Sequence, residues 1–482
     1  MTQTYAASFK LKEVIITSSD GSKTENITGM VQKIDYFETF AAPTVAAQMT
    51  VVDNAKNIIS SLPIQGLENI SIKISVGDSE YVYNFKVFKI YSRFSTDRMQ
   101  TYKLGLISHE ALLNETTKVG KQLKGYPHEI VEEVLKEHIG TEKNISVEES
   151  CNSTVFFPGR KSPFAIIDSL TIRSIPQSGK SAINKNNKSN SLGGANTKPP
   201  KGGAGKKTSE YESKLSGTAG YIFYENISGY HYNSIDKLND PTGNPPVKEY
   251  IQENAEIGSE DTRIKILDID FVNEIDMMSK LRMGTFSSMV CFYNISTGAY
   301  DETSYTLTDS FKAMNHLGEQ DGVPTGQAEL AEHPTRIMSI LIDHETWNPD
   351  NEIASPEQKD GGSTRQSKDE IITDFQKHYV VQSVARQNSL QNQKVIIKVP
   401  INPALEIGQT VKILIPNMVP GAHKDEDIYD PEHSGVYLIS QLTHTFDSFK
   451  EVGCSTLIII RDTYGMKKSG AQVTKASSDP GI

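Results

Sequence analysis

The 482-residue sequence has only three cysteines, Cys151, Cys291 and Cys454, which lie far apart and form no CxxC pair. An odd, scattered set argues against a disulfide framework and indicates a reduced compartment, where each cysteine is expected to be a small buried apolar residue. A cysteine-based metal site is excluded by the same spacing.

Long apolar runs are also missing. The longest, such as "TLIIIRD" at 456–462, have the length of a strand and fall well short of the ~18 apolar residues of a membrane span. The N-terminus "MTQTYAASFKLKEV" has no basic start followed by an apolar core, so we expect no secretory signal.

The charge balance is acidic, with 60 Asp and Glu against 49 Lys and Arg and a net charge of −11. A protein that binds phosphates normally carries the opposite sign, so the composition disfavours nucleic-acid recognition. The length suggests roughly three domains. A hydrophobic content of 37% with a mean hydropathy of −0.41 indicates polar insertions between them.

The N-terminal part of the chain has the alternating pattern of short β-strands separated by tight turns. Ile70, Ile72 and Ile74 alternate with polar residues, which predicts a sheet with one buried face. We predict a first β-barrel domain over residues 1–115. The predicted strands cover residues 9–17, 30–40, 44–53, 69–76, 81–94 and 100–108.

A helical segment is predicted next, over residues 116–175. One helix, 125–140, has Pro127 in its first turn and ends at Gly140. A second, 161–174, is predicted to begin with Ser162 as its cap and Pro163 in its first turn.

Residues 176–218 contain almost only Gly, Ser, Asn, Lys and Pro, and have little to bury against the entropy of ordering the chain. We interpret them as a flexible basic insertion. A mixed α/β region is predicted over 219–375, with helices at 272–284 and 309–318 and an exposed loop at 348–370. The last residues, 466–482, are expected to form a flexible tail.

Strand patterns return in the C-terminal part, at 393–400, 409–416, 435–446 and 453–462. We predict a second β-barrel region over 376–465. The expected fold class is therefore α+β and dominated by β structure, with two small related β-barrel domains and intervening mixed α/β segments.

Motifs for catalysis and metal binding are incomplete. "SGKS" (178–181) and "GKKT" (205–208) lack the spacing and the strand-to-helix context of a phosphate loop. The His-Glu pairs at 109–110, 128–129 and 344–345 have no second histidine four residues on, as a zinc helix requires. The acids within 268–276 have no sign of burial. We assign no catalytic, cofactor-binding or metal-binding residue, and expect no cofactor.

The segment "GYIFYENISGYHYNSIDKL" (220–238) holds six aromatic or histidine side chains within 221–232. Asn226, Ser228 and Gly229 suit a turn, so a β-hairpin whose aromatic cross-strand pairs cover a core is favoured. The alternative is a stacking platform for sugars or bases.

Four segments together resemble the central baseplate hub protein of contractile-tailed bacteriophages of the T-even-like (myovirus) type. They are "TYKLGLISHEALLNE" (101–115), "FFPGRKSPFAIIDSLTIRS" (156–174), the aromatic segment at 220–238, and the final strands within 434–465. Their order and spacing resemble a hub across most of the chain.

This resemblance implies a structural protein of the virion, without enzymatic activity. Such hubs are homotrimers that join the sixfold tail tube to the threefold central spike, with two related barrels per subunit. The implied partners are the spike, the tail tube and tube-initiator proteins, and the baseplate wedge proteins, while DNA passes through the lumen without specific binding. The implied location is the tail-tip baseplate, after assembly in the host cytoplasm.

Two other functions stay open from the sequence. One is a tail-associated polysaccharide-degrading enzyme that uses Asp268 and Asp270. The other is a carbohydrate-binding adhesin that uses the aromatic side chains of 221–232, Tyr230 among them. For the hub, an acidic lumen that repels DNA is a further hypothesis.

Overall fold

Strands dominate the computed structural model and helices are short, which confirms the β-dominated α+β class. None of the helices it describes is long and apolar enough to cross a membrane. The loop 348–370, the tail 466–482 and all but the first residue of the insertion 176–218 lie outside the described residues. Those residues are 7–54, 58–62, 64–96, 99–151, 154–176, 219–253, 262–273, 276–294, 298, 300–311, 314–320, 333–342, 380–417 and 429–465.

The N-terminal region forms an antiparallel sheet whose strands alternate between a buried and an open face. Ile70, Ile72 and Ile74 are each 1% exposed, so the predicted alternation is confirmed. The strands run in the order β3-β4-β7-β6-β5-β1-β2. The elements are β1 (Lys10–Thr17), β2 (Thr24–Asn26), β3 (Val31–Thr39), β4 (Ala46–Asp53), α1 (Ile58–Ser61), β5 (Asn69–Val76), β6 (Ser79–Ser95) and β7 (Gln100–Ile107).

Both helices predicted after this sheet are present, with two differences. The first begins at Pro127 and ends before Gly140, whose φ of 71° is left-handed, but its second half, Val134–Ile139, is a π-helix. The second helix has Ser162 at its N-cap position as predicted, but the Ser162 side chain makes no capping hydrogen bond; Asn114 Oδ1 instead accepts the Phe164 N–H at 2.9 Å. The elements are α2 (His109–Thr116), β8 (Leu123–Gly125), α3 (Pro127–Glu133), β9 (Ile145–Val147), β10 (Thr154–Phe156) and α4 (Pro163–Thr171).

The mixed region begins with a hairpin, and two predicted helices are shorter than expected. Residues 272–273 end a strand, and the helix begins only after Asp276, whose carboxylate accepts the Ser279 N–H. In place of the helix predicted at 309–318 there is a short helix over Leu307–Ser310, and residues 314–318 are not helical; in that stretch the Leu317 N–H is donated to Asp462. The elements are β11 (Tyr221–Asn226), β12 (Gly229–Ser234), α5 (Ile235–Leu238), β13 (Lys248–Ile251), β14 (Asp268–Asn273), α6 (Met277–Met283), β15 (Ser287–Asn294), β16 (Tyr300–Thr306), α7 (Leu307–Ser310) and β17 (Arg336–Ile342).

All four strands predicted in the C-terminal part are present. They are preceded by a helix, α8, described over 380–389. β14 pairs with β18, which pairs with β21 and then β20, while β19 joins β20 to β13. The strands are β18 (Gln393–Pro400), β19 (Thr410–Leu414), β20 (Gly435–Asp447) and β21 (Val452–Arg461).

The two β regions are fused into one 13-stranded sheet, because β20 pairs with β3 over seven residues. The register runs from Lys33 opposite Asp447 to Thr39 opposite Gln441. Phe446 also packs edge-on against Phe9, with ring centroids 5.1 Å apart. In the described residues the ladder of strands stays open, so the two regions form one continuous sheet and not two closed barrels.

Candidate functional site

The aromatic segment at 220–238 is a hairpin whose rings face inward. Tyr221, Tyr230 and Tyr232 are each 0% exposed, and Phe223 is 6% exposed. Tyr221 stacks on Tyr232 at 4.7 Å, and Phe223 on Tyr230 at 5.7 Å. The hairpin interpretation is confirmed for these residues, and these four rings offer no open face on which a sugar or a base could stack.

The two acids considered for catalysis lie exposed on a strand. Asp268 and Asp270 belong to β14, opposite Lys398 and Ile396 of β18, and both are exposed. Within the described part of the chain, no group of three or more His, Cys, Asp or Glu side chains could hold a metal ion.

A surface groove of about 490 Å³ runs along α3, and several of its polar groups are engaged by neighbouring residues. His128 Nδ1 lies 2.9 Å from both the N–H and the hydroxyl of Ser150. Glu129 accepts the Tyr126 N–H, and Glu132 pairs with Lys136 at 2.7 Å. These carboxylates support the helix itself.

Buried carboxylates cluster where the two β regions meet the aromatic hairpin. We call Glu38, Glu225 and Glu406 the carboxylate junction. Glu38 lies near the end of β3, Glu225 near the end of β11, and Glu406 in the turn that precedes β19. Glu38 and Glu225 are each 1% exposed, so each must be satisfied by protein groups.

Glu38 joins three segments of the chain. Its Oε1 accepts the Tyr36 hydroxyl at 2.6 Å and the Ile227 N–H at 2.9 Å, and its Oε2 accepts the Ile407 N–H at 2.9 Å. The donors come from β3, from the hairpin turn and from the turn before β19. One side chain therefore holds the hairpin and the second β region against the first.

Glu225 extends this junction to the helical segment. Its Oε2 accepts the Val45 N–H at 2.9 Å, and its Oε1 lies 2.5 Å from Lys143 Nζ. Lys143 also lies 2.7 Å from Glu110 Oε2. Burial raises the pKa of Glu225, and the Lys143 ammonium opposes that shift.

Glu406 completes the junction from the C-terminal side. Its Oε2 accepts hydrogen bonds from Asn226 Nδ2 at 2.7 Å and from the Ser228 hydroxyl at 2.9 Å. Gly408, two residues on, has a φ of +86°, and a Cβ there would lie 2.2 Å from the Tyr224 hydroxyl. The hairpin turn and the turn before β19 are therefore packed closely as well as hydrogen-bonded.

Burial raises the pKa of Glu38 from its ordinary value of 4.5 to about 8, with the nearby Glu406 carboxylate acting in the same direction and the donors of Tyr36, Ile227 and Ile407 against it. Since the folded chain holds this proton more tightly than the unfolded chain, the stabilising contribution is full below about pH 4.5. It is lost as the pH rises through about 8.

We therefore expect the free energy of unfolding to fall between about pH 5 and pH 8, and the fall to be smaller in Glu38→Gln, whose amide cannot ionise. Urea unfolding of the wild type and of Glu38→Gln at several pH values in this range gives, for each protein, the slope of the free energy of unfolding against pH. Groups present in both proteins, such as Glu225 and Glu406, contribute equally to the two slopes, so their contributions cancel in the difference. Equal slopes would contradict the assignment.

A second buried network holds the mixed region to the C-terminal strands. Arg386 of α8 is 1% exposed and lies 2.5 Å from Asp236 Oδ1, which also accepts the Asn315 N–H at 3.0 Å. His316 Nδ1 lies 2.6 Å from Asp462 Oδ2. These pairs connect α5, the turn after α7 and the end of β21.

Sequence reasoning missed the carboxylate junction, although one signal was present. The alternation of "QKIDYFETF" places Glu38 on the same face as Ile34 and Tyr36, and that face is buried. A glutamate on a buried face needs specific partners. Its partners at Ile227 and Ile407 are far away in sequence, and no local pattern indicates them.

No family model and no curated protein sequence matches the chain. Among solved structures, the chain is similar to a tail protein from Neisseria meningitidis MC58, at 10% identity and a TM-score of 0.49, covering 94% of this chain and 96% of that one. It is also similar to the 43 kDa tail protein of prophage MuSo2 from Shewanella oneidensis, at 10% identity and a TM-score of 0.48, covering 93% and 98%.

A third similar structure is the E. coli c3393 protein, a component of the type VI secretion system described as similar to the T4 tail proteins gp27 and gp5. Its identity is 8% and its TM-score 0.40, covering 94% of this chain and 76% of that one. These three solved structures are two tail proteins, one of them from a prophage, and a secretion-system component.

Proposed function

We propose that the chain is a structural, non-enzymatic hub of a contractile phage tail baseplate. In this proposal three copies form a ring at the tail tip. The ring adapts the sixfold tail tube to the threefold spike, contacts tube-initiator and wedge proteins, and leaves a channel for DNA during infection. Assembly takes place in the host cytoplasm.

The observation that carries the proposal is the pairing of β20 with β3. A symmetry adaptor needs two β modules per copy in a fixed relation, so that three copies present six similar positions. The seven-residue ladder from Lys33–Asp447 to Thr39–Gln441 fixes that relation through backbone hydrogen bonds. The four segments that resemble a hub support the same function.

The buried polar groups support a mechanical function over a chemical one. Glu38 and Glu225 are directed at backbone amides and at Lys143, where they connect segments of the chain. Asp268 and Asp270 lie on an open strand. We find no observation that favours the enzyme or the adhesin.

The test is complementation of a phage that carries a nonsense mutation in the gene for this chain. Without complementation, we expect negative-stain electron microscopy to show no tails with a complete tip. Supplying the wild-type chain should restore complete tips. A tagged chain should be located at the tail tip. The double variant Asp268→Ala, Asp270→Ala should complement fully. Normal tails without the chain, or a double variant that assembles but no longer degrades the host wall, would contradict the proposal.

A further inference from the structure

An apolar groove of about 380 Å³ lies between the sheet and the helical segment, and we call it the Phe88 groove. Its apolar lining includes Pro43, Phe88, Ile107, Leu112 and Phe164. Glu115 is the one charged residue among the residues that line it. The volume falls in the range of about 300–1,000 Å³ that is typical of binding pockets.

The groove depends on a β-bulge that directs an aromatic ring outward. Val87 pairs with Leu106 and Lys89 with Gly105, so Phe88 is an extra residue in β6 without a partner in β7. Its ring lies over Gly105, where a Cβ would be only 2.9 Å from Phe88 Cε1. Phe88 is 49% exposed. The β-bulge and Gly105 together hold the half-exposed Phe88 ring at the edge of the groove.

The turn between β20 and β21 carries the most exposed of the large apolar side chains in the described residues, Phe449, at 86%. The turn is braced. Asp447 Oδ1 accepts the N–H groups of Phe449 and Lys450, both at 3.1 Å, and the Ser448 N–H is donated to the Gln32 carbonyl. A side chain presented on a fixed backbone loses little conformational entropy when it binds.

The turn and the groove are complementary but cannot meet within one copy. Lys450, beside Phe449, is basic, whereas the groove carries Glu115. The turn follows Asp447, opposite Lys33, and the groove lies past the other end of β3, beyond Phe37. At roughly 3.3 Å per residue, the length of β3 keeps them on the order of 20 Å apart.

We propose that the Phe449 turn of one copy binds in the Phe88 groove of a second copy, with Lys450 facing Glu115. Each copy carries both halves, so a head-to-tail arrangement of this contact can repeat from copy to copy, and it gives a ring if the rotation between copies closes. The number of copies in the ring rests on the proposed function, whereas the contact itself is argued from the groove and the turn alone.

The first test is the mass of the full-length chain and its concentration dependence, measured by analytical ultracentrifugation. Phe449→Ala should weaken self-association at least about tenfold, as expected for a central aromatic contact. Because Phe449 is exposed, the variant should keep the thermal unfolding curve of the wild type. The control is Ile337→Ala, at a site that is 63% exposed on another sheet, which should associate like the wild type.

The second test uses mixing and charge exchange. Phe449→Ala retains the groove and Phe88→Ala retains the turn, so an equimolar mixture should form heterodimers that neither variant forms alone. Lys450→Glu and Glu115→Lys should each weaken association, and the double variant should recover part of the loss.

Three outcomes overturn the interface. A Phe449→Ala chain that assembles like the wild type would show that copies associate elsewhere, leaving the proposed ring intact. A Phe88→Ala chain that self-associates normally but loses another tail protein would assign the groove to that protein. A wild-type chain that stays monomeric alone yet forms a ring with tail partners would overturn this self-contact but not the proposed function.

Discussion

Glu38→Ala should lower the free energy of unfolding by about 3–5 kcal/mol. The change removes the acceptor of three donors, the Tyr36 hydroxyl and the N–H groups of Ile227 and Ile407, in a place from which water is excluded. An unsatisfied buried donor costs about 1–3 kcal/mol. Denaturant unfolding at pH 7 measures the loss, and limited proteolysis should show faster cleavage near the hairpin turn in Glu38→Ala than in the wild type.

A matched control is Glu132→Ala, which removes a glutamate paired with Lys136 on the surface of α3. An exposed pair one helical turn apart contributes about 0.3–0.5 kcal/mol, so this variant should unfold close to the wild type. If Glu38→Ala were as mild as Glu132→Ala, the junction would not hold the β regions together as described.

Asp236→Asn should cost up to about 3–5 kcal/mol, because it removes the carboxylate bonded to the buried Arg386 and leaves only the Asp462 carboxylate, which is not bonded to it, to offset that charge. The asparagine can still accept the Asn315 N–H, so the loss reports on charge compensation and not on that hydrogen bond. Thermal or urea unfolding measures it. Replacing both partners, Asp236→Asn with Arg386→Met, should recover part of the stability, because the buried guanidinium that lost its bonded carboxylate is then removed as well.

The comparison for this pair is Glu249→Gln, which breaks an exposed ion pair with Lys412 at 2.7 Å. Both side chains are more than a third exposed, and the expected change is below about 1 kcal/mol. An Asp236→Asn variant that was no less stable than Glu249→Gln would contradict the account of this network.

The strands were predictable because their signals are local. Residues 69–76 and 393–400 were predicted as strands and are β5 and β18. Alternation of apolar and polar side chains, with glycine at the turns, is enough to place such elements. The start of α3 at Pro127, and the end before Gly140 of the π-helix that continues it, were predictable from local signals too.

The features that long-range pairing decides were not predictable. The second half of the helix predicted at 309–318 is replaced by a non-helical stretch in which His316 and the Leu317 N–H bind Asp462, more than 140 residues away. The pairing of β20 with β3 joins segments about 400 residues apart, and it turns two expected barrels into one open sheet. The bulge at Phe88 is set by register with β7, which single-strand alternation does not reveal.

The carboxylate junction could be predicted from the sequence only in part. Its residues lie on strands whose buried faces could be read from the sequence, but which donors meet there depends on the tertiary fold. Asp268 and Asp270, the acids considered from the sequence, are exposed. Glu38 and Glu225, which the sequence does not single out, are buried. The buried acids hold segments together, whereas the exposed acids at Asp268 and Asp270 lie on the outside of β14.

The most direct test of the central claim is the native mass of the purified full-length chain, alone and together with the spike and tube proteins that the proposed function gives it as partners. The account predicts a particle of three copies, in which each copy contributes its two fused β regions to a ring. A chain that remains a monomer in both conditions would contradict it.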